Sequence, residues 1–212
     1  MSEMLEAATE FRKNGFNDED AAQLGQIASM YSNVADEAMS ASDSAGFIIS
    51  QMVAFGIEAE ESEHIIDSVN EVANNFAVSS GQMAQGLKVV ASSSSAMGNS
   101  LEETLGLMVS VVEVTKNASK SARSINSIMA SLAQVLDENS TNGKKITAIF
   151  DDLGLQMYDT NGQLKSGYDL LKELASVWPQ LDGNTQKYIA TTIAGEQICP
   201  FKVNCWKTFR AL

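Results

Sequence analysis

Proline, cysteine, histidine, aromatic side chains and positive charge are all scarce in this sequence, and each shortage narrows what the chain can be. Two prolines in 212 residues leave little to interrupt helices. With few aromatics beside plentiful Ala, Ser, Leu, Met, Gln and Glu, the composition favours helix over sheet. The expected fold class is all-α. The two cysteines, Cys199 and Cys205, form a single C-x5-C pair with no second pair and no histidine beside it. That is poor material for a zinc or redox site, and they read as incidental thiols. Lys and Arg number 14 against 27 Asp and Glu, a formal charge of −13. Binding to nucleic acid or to anionic membranes needs clustered cations, so neither partner is expected. No run of 18 apolar residues occurs, and the start, MSEMLEAATEFRKNG, lacks the charged-then-apolar order of a secretory signal. The expectation is a product made soluble, and the most apolar segment, Ala45 to Ile57, is expected to be a core helix because Ser50 and Gln51 interrupt it.

What is present is a hydrophobic fraction of 44%, enough to bury a core as one domain or two small ones. The stretch from Val78 to Thr115 displays the organisation most plainly. Ser79 with Gln82, and Ser100 with Glu103, each fit the capping box, in which a hydroxyl accepts from the backbone N–H three residues on and the later side chain reaches back. After the second cap, Leu101, Leu105, Met108 and Val112 share one helical face. Leu107, Val111 and Val114 widen it, leaving Glu102, Glu103, Ser110 and Glu113 for solvent. This spacing predicts a mostly buried helix.

In chain order, residues 1–14 predict a short helix stopped by Asn14 and Gly15. Asn17 is placed to cap the next, whose stripe is Leu24, Ile27, Tyr31 and Val34. A helix from about Ser44 to Phe55 ends at Gly56. Ile65, Val69, Val72 and Phe76 repeat the stripe, and a partner helix runs from Gly81 to about Ser95 with Gly98 closing it. Gly15, Gly56 and Gly98 lie 41 and 42 residues apart, and each is followed at positions four and five by an acidic pair: Glu19 and Asp20, Glu60 and Glu61, Glu102 and Glu103. Glycine ends one helix in a left-handed conformation and the acids favour the positive end of the next. The unit is expected to be a helix pair, whether by repetition or by coincidence in a glycine-punctuated helical chain.

Farther on, Ile125, Ile128, Met129, Leu132 and Val135 form an inward stripe, and STNGKK at 140–145 reads as a loop. Leu155 to Tyr158 and Gln163 to Leu164 flank Thr160, Asn161 and Gly162. Asn-Gly accepts positive φ at both turn positions, so a small β-hairpin is expected at 155–164. Tyr168, Leu171, Leu174 and Trp178 make another stripe that Pro179 ends, and NTQKYIATTIAG starts one more helix. From Gln197 onward there are three basic residues, Lys202, Lys207 and Arg210, and no acid, whereas the rest of the chain carries 11 basic and 27 acidic residues. The tail is compositionally foreign, as a shifted reading frame, a truncated gene or an ordinary divergent C-terminus would make it. The expected divisions are a helical core over 1–139, a loop and hairpin over 140–165, a C-terminal helix pair over 166–195 and the atypical tail over 196–212.

Few residues invite chemistry. His64, the single histidine, stands near Glu60, Glu61 and Glu63 without a second histidine, a nearby cysteine or HExxH spacing, so it reads as solvated or packed. No serine has nucleophile-elbow glycines. Asp151 and Asp152 read as a solvated pair at a helix end, and Gly98-Asn99-Ser100-Leu101 lacks the lysine and second glycine of a phosphate loop. No catalytic, cofactor-binding or metal site is expected, and no enzyme. Met-rich, Ser-rich helices would also suit a signalling or adaptor module that binds a protein partner, or a coiled-coil rod. A rod needs sustained heptads, and the glycine breaks oppose that.

Within the segment from Asp67 to Leu132, an NEVANNFAVSSG stretch, Asn70 to Gly81, leads into an Ala-rich helix, a glycine-containing break and the SLEET helix start at Ser100 to Thr104. With these motifs the segment resembles the core region of phage tail tape measure proteins. The likeness extends from about Phe16 to Gly195. Beyond the IAG at Ile193 to Gly195, members of that family continue with a helix and a long extension where this chain has its foreign tail, so it resembles an internal piece. The resemblance implies a structural role in the tail of a phage or prophage virion, made in the bacterial host cytoplasm, with tail tube and tail assembly proteins as partners and self-association as a further option. Tape measure proteins occupy the tail lumen and set tail length. As one straight helix 212 residues would reach about 320 Å, but glycine breaks and broad apolar faces predict antiparallel helix pairs stacked into a compact module. Ruler length would then lie elsewhere in the longer protein.

Overall fold

The computed structural model describes residues 2–35, 39–76 and 78–195, without the side chain of Val34. Among these residues the chain forms ten α-helices: α1 (Ser2–Lys13), α2 (Asp18–Val34), α3 (Ala41–Phe55), α4 (Ser62–Asn75), α5 (Ser80–Ala96), α6 (Leu101–Thr115), α7 (Ala118–Ala133), α8 (Thr141–Asp152), α9 (Gly167–Val177) and α10 (Gly183–Ala194). The all-α expectation holds. Val34, the predicted tail and Cys199 and Cys205 within it fall outside what is described.

The repeated glycine signal has a clear physical form. Gly15, Gly56 and Gly98 have φ of +95°, +67° and +73°, where a Cβ would be strained. In each case the next residue's N–H reaches back five residues: Phe16 to the Phe11 carbonyl, Ile57 to Met52 and Asn99 to Ser94. This bond satisfies carbonyls that a helix end leaves open. A hydrophobic contact accompanies the first, where the Phe11 and Phe16 rings meet edge to face with centroids 5.6 Å apart. Two residues past each glycine stands an N-cap. Asn17 accepts from the Asp20 N–H and Ser100 from the Glu103 N–H. Glu58 makes no side-chain cap and a 3-10 turn, Ala59–Glu61, intervenes before α4. At Ser100 the capping box is complete, with Glu103 accepting from the Ser100 N–H at 2.9 Å.

Packing follows sequence order only in part. α1 lies mainly on α2, and α5 lies mainly on α7, with α3 bridging α1 and α5 and α6 against α7 and α5. α4 touches α5, α3, α6 and α2 less extensively. α10 packs on α7 and α8, α9 on α6. One apolar cluster runs from Ala7 in α1 to Ala194 in α10, so these helices share a core. Two close approaches depend on glycine: a Cβ at Gly86 would meet the Met108 methyl at 2.5 Å and one at Gly25 would meet Ala8 at 2.9 Å. Small residues let α5 approach α6 and α2 approach α1.

Several expectations are corrected. STNGKK is not a loop: Ser140 caps α8 by accepting from the Gly143 N–H at 3.0 Å, and residues 141–145 form its first turns. The polar run concealed a helix because its glycine is a packing residue, whose Cβ would stand 2.1 Å from the Gln134 carbonyl. The β-hairpin at 155–164 is also absent as strands. A single antiparallel bridge joins Tyr158 to Leu164, closing a loop in which Asp159 Oδ1 accepts from the Asn161 and Gln163 N–H groups, both at 2.8 Å. Only Gly162, at φ +78°, is left-handed; Asn161 is not. The Asp159 side chain therefore organises a longer loop than the two-residue Asn-Gly turn, with the Asp159 N–H donating to the Gln163 carbonyl at 2.8 Å. α3 starts at Ala41 rather than Ser44, since Ser40 caps it by accepting from the Asp43 N–H. Ser110, expected in solvent, is buried and donates to the Gly106 carbonyl at 2.9 Å. Val114 and Phe76, expected inside, are each 38% exposed.

Candidate functional site

The sole histidine lies at an open cleft of about 480 Å³ bounded by α4, the end of α3 and the α5–α6 connection. Phe55, Ile57 and Leu101 form its apolar lining, and Glu60, Glu61 and His64 one rim. His64 Nε2 lies 2.7 Å from Glu102 Oε1, joining α4 to the first turn of α6. Both side chains are more than half exposed. Burial pulls the Glu102 carboxyl upward, but hydrogen bonds from His64, Ser100 and its own backbone N–H, with the charge of His64, outweigh that and hold it below its ordinary value. An exposed pair of this kind contributes about 0–1 kcal/mol. It is a surface clasp between two helices.

The other residues weighed from sequence lie apart from this cleft or serve the fold. Asp151 and Asp152 are exposed at the end of α8. Among the described residues no three His, Cys, Asp or Glu side chains stand together as a metal site would need, and no helix is long and apolar enough to cross a membrane. Gly98-Asn99-Ser100 proves to be structural. Asn99 is 5% exposed; its Nδ2 donates to Ser94 Oγ at 2.8 Å, which shares a 2.6 Å bond with Thr104 Oγ1. Its Oδ1 accepts from the Tyr168 N–H, 69 residues away, at 2.7 Å.

That bond helps to close the first turn of α9. Of the N–H groups that a helix start leaves open, Gly167 donates to the Met97 carbonyl at 2.9 Å, Tyr168 to Asn99 and Asp169 to Ser166 Oγ at 3.1 Å. Leu170 then makes the first intrahelical bond, to the Ser166 carbonyl. The Gly167 and Tyr168 groups are thus satisfied by the α5–α6 connection. Close packing supports the junction, because a Cβ at Gly167 would fall 2.4 Å from Met129 Sδ. Sequence reasoning missed Asn99: an asparagine between a helix-ending glycine and a serine cap looks local, and nothing in the one-dimensional pattern points to residue 168.

The geometry therefore offers a surface cleft and internal fastenings. A family model described as phage-related minor tail protein matches residues 1–195. The chain belongs to this minor tail protein family. A tape measure protein of Pneumococcus phage Dp-1 is 25% identical over 138 residues, which is 65% of this chain and 11% of that protein. The expected kinship with tape measure proteins is shown on these two findings, and the aligned region spans about one-tenth of the relative's length. No solved structure matches. Membership of the minor tail family makes this a chain of phage-tail structural type, and its helical architecture is consistent with the match.

Proposed function

We propose that the chain is a structural component of a phage or prophage tail, a segment of tape-measure type that acts in tail assembly and tail-length determination. The observation that carries this reading is the family match over residues 1–195, supported by the likeness to a tape measure protein across 138 residues. Its place is the virion tail, after synthesis in the bacterial cytoplasm, and its partners are tail tube and tail assembly proteins. Its work is mechanical and adhesive, with no catalytic step.

The helical form bears on how such a segment contributes. No helix among those described exceeds 17 residues, about 26 Å, so in this form the segment is a folded module and adds little to a ruler. Residues 1–139 and 166–195 are its two larger helical parts, joined across 140–165 by α8 (Thr141–Asp152) and the loop that follows it. Length determination belongs to the longer protein in which the segment acts. The test is an in-frame deletion of residues 1–195 from the encoding phage or prophage, followed by electron microscopy of the particles. The expected result is loss of complete tails with tube protein still produced. Normal tails of unchanged length would refute the proposal.

A further inference from the structure

α2 and α4 enclose a groove of about 260 Å³ that nothing in the described chain fills. Ile27, Met30, Tyr31 and Ile66 line it, with Glu63 and Asp67 along one edge. Its floor is rigid: Tyr31 is 1% exposed, donates its hydroxyl proton to the Ser80 carbonyl at 3.1 Å and packs on Phe47 with ring centroids 5.8 Å apart. Its lip is not covered, since Met30 is 61% exposed. An unbranched methionine at the mouth of an apolar groove adapts to the side chains of a partner.

The charge around the groove selects the occupant. Residues 14–87 contain no Lys or Arg at all, so both walls are without a cation. Glu63 and Asp67 of α4 stand at the groove itself, and Glu71 follows one turn on in the same helix. Among the described residues neither Glu63 nor Asp67 has an ion-pair partner. A segment seated here would put its apolar side chains on Tyr31 and Ile66 and meet unpaired carboxylates at the rim. A like-charged surface would be repelled, and a purely apolar one would leave those carboxylates desolvated.

We propose that the α2–α4 groove docks a basic amphipathic helix of a partner protein, with its apolar stripe against Met30, Tyr31 and Ile66 and its Lys or Arg side chains on Glu63 and Asp67. The groove between two helices is the mode in which an amphipathic helix buries one face, and the proposal stands on this surface independently of the tail reading. The test titrates the 212-residue chain into a labelled Leu/Lys amphipathic peptide of about 18 residues, long enough for five helical turns, and into a Leu/Glu peptide of the same pattern. Fluorescence anisotropy at about 150 mM salt, where distant charges are screened, is expected to show saturable binding of the Leu/Lys peptide alone. Met30→Asp and the double change Glu63→Gln with Asp67→Asn should each weaken it by about tenfold. Met30 is exposed, so its variant should keep the parent melting curve, and Met30→Ala provides a second, milder probe. Equal affinity in Met30→Asp would mean charge attraction without use of the groove and would overturn the proposal. So would equal binding of the Leu/Glu peptide, no saturable binding, or a self-association of the chain that Met30→Asp abolishes, which would make a second copy the occupant.

Discussion

Replacing Asn99 by alanine tests whether the α5–α6 connection caps α9 from a distance. The substitution removes the acceptor 2.7 Å from the Tyr168 N–H and the donor 2.8 Å from Ser94 Oγ. Two hydrogen bonds, one buried and one partly buried, at about 1 kcal/mol each, with the added cost of a helix-start N–H left unsatisfied, give a loss of about 2–3 kcal/mol. That is a large share of the roughly 5–15 kcal/mol that holds a domain together. Urea unfolding followed by far-ultraviolet circular dichroism measures the total, and hydrogen exchange locates it. The amides of Tyr168 and its neighbours in the first turn of α9 should lose protection beyond the global loss, while those of α6 should not. Ser100→Ala, in the same connection, is the control: it removes an ordinary local cap and should cost about 1 kcal/mol with its effect centred on α6. A loss below about 0.5 kcal/mol in Asn99→Ala, or an exchange pattern no different from that of Ser100→Ala, would refute the remote cap.

Three further outcomes follow from the packing and the ionisable groups. Gly143→Ala should destabilise by about 2 kcal/mol or more, because its Cβ would stand 2.1 Å from the Gln134 backbone carbonyl and α8 must move off the 3-10 turn Gln134–Leu136 that follows α7; an unchanged melting temperature would contradict that contact. Met108→Asp should unfold the chain, since Met108 is 0% exposed and the new carboxylate would be buried without a partner; a helical spectrum and melting temperature equal to the parent's would show the burial of α6 to be wrong. Glu102 sits below its ordinary value of 4.5, so its interactions add stability above that pH and lose it as pH falls through the lower folded value. A carboxyl NMR titration should find the Glu102 value rising toward the ordinary one in His64→Gln, and no movement would mean that the clasp does not form in solution.

Local signals in the sequence were legible at three helix caps and at the glycines that end helices. Asn17, Ser79 and Ser100 cap as their spacing requires, and Gly15, Gly56 and Gly98 are left-handed. The stripe Leu101, Leu105, Met108 and Val112 is buried throughout. The misreadings had causes of different range. Gly143 looked like a loop residue, yet it is helical because only a glycine lets α8 start against the Gln134 carbonyl. Asn161-Gly162 looked like a two-residue hairpin turn, yet Asp159 draws the loop around its own carboxylate. Ser110 looked solvated because its hydroxyl is polar, but it donates to its own helix's Gly106 carbonyl, which lets it be buried. The packing of α5 on α7, the Asn99 junction and the groove beside Met30 are properties of the assembled helices, and no periodicity within a single helix carries them.

The claim on which the account rests is that this chain is a structural part of a phage tail. Mass spectrometry of tails purified from the encoding phage or prophage, with density-gradient fractions probed by an antibody to the helical module, tests it most directly. The account predicts that peptides from residues 1–195 co-sediment with tail particles containing the tube protein. Recovery of those peptides from the lysate but from no tail fraction would contradict it.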